Sequence, residues 1–447
     1  MQRKTLKKVF YACAVAAAIA VDGDLCADEP SETQRQLRLL QEQNQALQQQ
    51  LQQQQKLIDS LSAKVNEIQQ RSVQPDRELE GLKNPEQESG APSRNFSLPF
   101  GKVNISAEGG VAFFHSEHDG QFPHPEFRVD EAKLFIEAPI WKQVYFYSEL
   151  NFVTREAADL DVRIGELYLD VENLSQLWKS DHALNLRLGR MDIPFGEEYI
   201  NRDAIDNPLI SHSLSDLWGV DEGIELYGKL GKFSYVVAVQ NGGPSGIADF
   251  NSDKSVAGRF SYDPSSHLHM SVSGMRTGEL KLPQDNWSEL WFSGGWFLPF
   301  NSTNATEYHA ELVEGDVEWR LPRGHLKAFG GYAHYDDNAP DADNERNIYY
   351  YSFEAIHDVI GKVYVGARFS QIFADNGYAL VGHSDIGHFL FSGTLTEEIW
   401  RLSLGLGYRW SDNLLTKAEY TFQRGKEVGG QKREHEDLFG VEMAFKF

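Results

Sequence analysis

Residues 397–447 constrain the fold more than any other stretch. In Trp400, Leu402, Leu404, Leu406, Tyr408 and Trp410 one face is wholly apolar or aromatic, with Arg401, Ser403, Gly405, Gly407 and Arg409 between them. After the turn Ser411-Asp412-Asn413, Leu414, Thr416, Ala418, Tyr420 and Phe422 alternate with Leu415, Lys417, Glu419, Thr421 and Gln423. The chain ends on Phe439, Val441, Met443, Phe445 and Phe447, interleaved with Gly440, Glu442, Ala444 and Lys446. A period of two over ten or so residues marks strands with one apolar and one polar face. A half-solvated sheet in a soluble sandwich alternates in the same way. Here aromatics gather at strand ends, as interfacial girdles require, and the pattern recurs along most of the chain. The expected fold is all-β: a transmembrane β-barrel, apolar outside and wet inside.

The 447 residues suffice for one large barrel. Outside the extreme N-terminus no apolar run approaches twenty residues, so no helical membrane span is expected. Barrels escape that test because their apolar residues occupy every second position. A net charge of −24 without a basic patch argues against nucleic acid as a partner. Both cysteines, Cys13 and Cys26, precede the expected mature start, which leaves no disulfide or thiolate metal site in the mature chain. Leu25 is bulky where a lipoprotein signal wants a small residue.

Residues 1–27 read as a secretory signal: Arg3, Lys4, Lys7 and Lys8, then an apolar core from Val9 to Val21, then Ala27 at the cleavage point. Over 32–70, Leu37, Asn44, Leu51, Ile58 and Val65 take one heptad position and Leu40, Leu47, Gln54, Leu61 and Ile68 the other. Five such heptads specify a periplasmic α-helical coiled coil, with the seam open between dimer and trimer. Residues 71–95, with Pro75, Pro85 and Pro92, read as a linker, and the barrel occupies 96–447.

Within the barrel, upward strands are expected to begin near Lys102, Trp141, Leu184, Phe233, Leu268, Leu326, Val363 and Leu414. Each is followed by a wide connection: 115–126, 154–161, 192–219, 242–254, 277–305, 336–345, 374–396 and 425–434. Alternation of short and wide connections is the outer-membrane plan, and it predicts about sixteen antiparallel strands. The strand-like run 288–297 must then sit within a wide loop.

Alternation places Arg187, Arg368, Arg401, Arg409, Lys417 and Lys446 inward, with Glu354, Glu419 and Glu442. Mixed charge suits a water-filled wall, and Arg187, Arg368, Arg401, Arg409, Lys417 and Glu419 are the expected pore-lining groups. The connection 192–219 stands apart. Pro194, Gly196 and Pro208 break regular structure, and it carries Asp192, Glu197, Glu198, Asp203, Asp206 and Asp216 against one base, Arg202. Taken alone it fits an ordinary surface loop as well as an inward fold. If inward, Asp192, Glu197, Glu198, Arg202, Asp203 and Asp206 would set the constriction and its ion preference.

The run from Leu186 to Gly242 includes Gly-Arg-Met-Asp-Ile-Pro-Phe-Gly, Gly-Ile-Glu-Leu-Tyr-Gly and Phe-Ser-Tyr-Val-Val-Ala-Val-Gln-Asn-Gly. It resembles the phosphate-selective porin O and P family, as do the segment from Ala132 and Lys133 and the N-terminal coiled coil. The resemblance implies a trimeric sixteen-stranded outer-membrane porin whose third outer loop folds inward, passing small ions or solutes. Phosphate-selective members place lysines at that constriction. The loop here has none and is acidic, which favours cations or neutral solutes.

The sequence contains no phosphate-cradling Gly-rich loop ending in Lys-Ser or Lys-Thr and no His-Glu-x-x-His run. No enzyme activity, cofactor or metal is therefore expected. His115, His118, His124, His383 and His388 fall in expected outer loops. Expected partners are outer-membrane lipid, further copies of the chain and peptidoglycan gripped by the coiled coil. The alternative is a tether or adhesin with a plugged barrel.

Overall fold

The computed structural model describes residues 96–98, 101–153, 162–242, 249, 251–281, 304–340, 342–378 and 395–447. The expected signal, coiled coil and linker, and the run 288–297, lie outside the described residues.

Sixteen strands follow one another: β1 (Gly101–Ser116), β2 (Glu126–Trp141), β3 (Val144–Val153), β4 (Arg163–Val171), β5 (Asn185–Asp192), β6 (Val220–Leu230), β7 (Phe233–Gln240) and β8 (Ser255–Ser265), then β9 (Leu268–Arg276), β10 (Glu307–Leu321), β11 (Gly324–Asp337), β12 (Arg346–Ile360), β13 (Val363–Tyr378), β14 (Thr396–Ser411), β15 (Leu414–Glu427) and β16 (Leu438–Lys446). Each pairs antiparallel with its neighbours in sequence, and β16 pairs back onto β1 from Leu438↔Ser116 to Lys446↔Glu108. The sheet is closed. Three short pieces, Phe96–Leu98, Leu280–Lys281 and Lys432–Arg433, extend the ladders of β1, β10 and β15.

The connections alternate as the sequence predicts. Two-residue turns join β6 to β7 and β12 to β13, with Gly231 and Gly361 at φ +65° and +56° where a side chain would be strained. The longest of the narrow set, between β4 and β5, winds a 3₁₀ turn, Leu174–Trp178. Its entry, Asn173, sits at φ 55°; its side-chain carbonyl accepts from the His182 amide.

Side chains divide as the period of two requires. On β14, Leu404, Leu406, Tyr408 and Trp410 are exposed on the outer face, while Arg401 and Ser403 are buried inside. Comparable outward residues recur around the barrel, from Phe127 and Val129 through Ile224, Phe260, Val272 and Val317 to Phe445. In lipid every backbone polar group must be paired, and a closed sheet achieves that without an edge.

One expectation is corrected. The inner face is not wet throughout. Toward the wide-loop end of β8 to β14, inward Ala257, Met275, Tyr308, Leu312, Tyr335, Ile348, Ile372, Tyr378 and Ile399 form a buried apolar cluster with Ile193, Phe195, Leu214 and Leu217. The cause lies in the segment 192–219: its own apolar residues need cover, and the inward positions facing it are apolar to match.

Candidate functional site

The segment 192–219 runs inside the barrel, and its backbone is held by inward charges. Lys417 and Glu419, two residues apart on β15, divide the task. The Lys417 ammonium donates to the carbonyls of Ala204 (2.7 Å), Asn207 (3.2 Å) and Leu209 (2.9 Å) and pairs with Glu442 at 2.8 Å. The Glu419 carboxylate accepts from the amides of Ile210 and Ser211 and from the Ser211 hydroxyl. On β13 the Arg368 guanidinium donates to the Ser211 carbonyl, the Tyr364 hydroxyl to the Pro208 carbonyl, and the Ser370 hydroxyl accepts from the Leu214 amide. Arg401 on β14 reaches the His212 carbonyl.

Other strands hold the remaining parts. The Ala204 amide donates to Glu131 on β2, and the Gly196 amide to Ser273 on β9. Arg259 on β8 donates to the Gly196 carbonyl and to the Tyr199 hydroxyl. Small residues make room for the loop: a Cβ on Gly405 would collide with the Leu209 side chain.

The six expected constriction residues divide by partner. Asp203 pairs with Lys133 on β2, Asp206 with Lys446 on β16 at 3.1 Å, and Glu197 accepts from His269 on β9 at 2.7 Å. Glu198 accepts from the Ser213 amide at 2.8 Å and lies 3.9 Å from Arg368. Arg202 pairs with Asp216 inside the loop at 2.8 Å and stacks 4.4 Å over Trp218, whose indole N–H donates to Asp192. Glu131 and Glu108 join Asp203 around the Lys133 ammonium, which supplies this carboxylate group with its cation. The loop's acids are thus largely met by wall cations.

Burial acts differently on two of these carboxyls. It pushes Glu198 up from the ordinary range, with the Asp216 charge adding to the shift. At Asp203 burial works the same way, but Lys133 in direct contact outweighs it and holds the carboxyl below its usual value.

Of the expected pore-lining groups, Arg401, Lys417 and Glu419 are corrected. They are 1%, 2% and 4% exposed and serve as loop anchors under the segment. Arg368 is buried as well, but its side chain borders a cavity below the loop. Arg187 faces inward toward the narrow-turn end, between Asp170 and Glu225 at 3.0 Å each. Arg409 is exposed at that rim, 4.9 Å over the Tyr364 ring. Sequence reasoning missed Lys133, Tyr364 and Ser370 as anchors; each lies at an inward position of its strand, and inwardness was their only signal.

A water-accessible cavity of about 440 Å³ lies beneath the loop, between Glu197, Glu198, Asn207 and His212 above and the inner faces of β7 to β13. Its wall carries charges of both signs.

No family model matches the chain, and no curated protein matches it. Solved structures do. The outer-membrane channel DcaP of Acinetobacter baumannii aligns with a TM-score of 0.54 at 12% identity, covering 79% of this chain and 99% of that one. In-vitro folded OmpT, an outer-membrane protein of Vibrio cholerae, gives 0.53 at 12% identity, over 79% and 100%. A trimer form of that protein gives 0.51 at 12%, over 77% and 99%. At such identities the likeness is one of fold. By fold the chain is a sixteen-stranded β-barrel of the bacterial outer membrane.

Proposed function

We propose that this chain is an outer-membrane porin, a passive channel for small solutes whose bore is set by the inward segment 192–219. The observation that carries this reading is the seating of that segment on inward charges from β2, β8, β9 and β13 to β16, beside a polar cavity rather than filling it. A rigid ledge beside a wet space is the physical form of a constriction. Because the loop's acids are met by Lys133, Lys446, His269 and Arg368, the channel discriminates weakly between ions, less than the loop's acidity alone implies. The local motifs support descent with the phosphate-selective O and P porins; the acidic loop speaks against their substrate. Three copies form the working assembly in this reading, consistent with the trimer form of one structural neighbour.

The test is single-channel recording of the refolded protein in a planar bilayer under a KCl gradient. Steady steps with a reversal potential only slightly on the cation side are expected, and Glu197→Gln with Glu198→Gln should shift that potential toward zero. Absence of any conductance would turn the reading toward a plugged tether. Block by low phosphate would return it to the family's anion.

A further inference from the structure

The cavity under the loop is lined by acids and bases from β8 to β13 and from the loop itself. Its acids and bases are nearly all matched within the wall. Arg320 pairs with Glu318 at 2.8 Å; Arg368 and His325 share Glu354, the latter at 2.7 Å; Arg259 and His269 meet Glu197 at 3.7 and 2.7 Å. Two groups are left. Lys327 on β11, half-buried and bordering the cavity, makes no hydrogen bond or ion pair among the described residues. Asp316 on β10, only 8% exposed, accepts from the Ser271 hydroxyl at 3.0 Å; it feels the Arg259 charge but forms no direct ion pair among the described residues.

The register fixes how far apart the two lie. Asp316 is directly opposite Phe329, and Lys327 is two residues along β11 on the same face. Such diagonal neighbours are roughly 7–8 Å apart at the backbone. The carboxylates beside Lys327, Glu318 and Glu354, are already neutralised by their own partners, so an anion reaching Lys327 is not repelled by unpaired charge.

We propose that this cavity is a dwell site for a small zwitterion, its ammonium at Asp316 and its carboxylate at Lys327. A solute with both charges a few bonds apart satisfies both groups at once; a simple anion or cation satisfies one and leaves the other buried or half-buried alone. The proposal rests on the channel reading and names its substrate class.

Swelling of liposomes holding the full chain tests it, with γ-aminobutyrate as the zwitterion and butyramide as an uncharged probe of similar size. γ-Aminobutyrate is expected to enter roughly threefold faster than butyramide, the ratio that one partly exposed ion pair provides. Lys327→Met and Asp316→Asn, placed on different strands, should each bring the ratio to one. Equal entry of both probes into liposomes with the unaltered protein overturns the dwell site and leaves the channel standing. A ratio unchanged in both variants does the same, as does inorganic phosphate blocking single-channel current more strongly than γ-aminobutyrate. No entry of either probe overturns the channel itself.

Discussion

Lys417 is a buried cation that donates to three loop carbonyls and pairs with Glu442, so its removal strands several acceptors together. Replacing it by Met should destabilise the folded barrel by about 3–5 kcal/mol, the cost of leaving a buried partner charge alone. A lower urea midpoint and a larger, noisier conductance would show it. Glu198 titrates above the ordinary glutamate range because it is buried beside Asp216. As pH falls from neutral, it should therefore neutralise before exposed carboxylates do. The cation share of the current is expected to drop in that early window, and Glu198→Gln should remove the early step from the reversal-potential profile. Asp203 behaves oppositely. Its folded carboxyl is depressed, so the stabilisation from Lys133 is present above the ordinary aspartate range and is lost only as pH falls below it. Alternation correctly put Arg368, Arg401, Lys417 and Glu419 on the inner face. It could not say whether they met water, because the covering atoms lie about two hundred residues away for Lys417 and Glu419.

At the scale of elements, the strands and their narrow and wide connections were readable because each depends on local chemistry: a period of two, and turn residues between runs. The inward loop was not readable in this way. Its acids look like a solvated surface, and its apolar residues Ile193, Phe195, Ile205, Leu209, Leu214 and Leu217 show no regular period. Their seat is a set of small inward residues on distant strands. Gly405 read as part of a wet wall, yet its missing side chain is the space that Leu209 fills. Gly405→Leu should push the loop off β14 while leaving the β14–β15 ladder intact. Single-channel recordings should then show a changed step size, with the fold checked by unaltered β-sheet circular dichroism; an unchanged step would mean that the loop does not set the bore.

For the whole molecule, closure is the decisive feature. β16 pairs with both β15 and β1, so loss of the last strand opens two edges at once. Deleting residues 438–447 is expected to abolish insertion into bilayers and the mobility difference between heated and unheated samples on a detergent gel, because an open edge in hydrocarbon leaves its backbone groups unpaired. A truncated chain that still inserted would contradict closure as the source of stability.

The sequence by itself determined the outer face, the strand order and the number of strands, since lipid contact and pairing act at every second residue along each strand. Only the tertiary structure decided what lies within. The same inward arginine, lysine or glycine can line water, clamp a loop or clear space for a leucine, and the choice depends on which distant segment arrives opposite it. Arg187 and Arg409 remained at the rim, Lys417 and Glu419 became the clamp, and Lys327 and Asp316, which alternation had not singled out, border the cavity without a direct ion pair among the described residues.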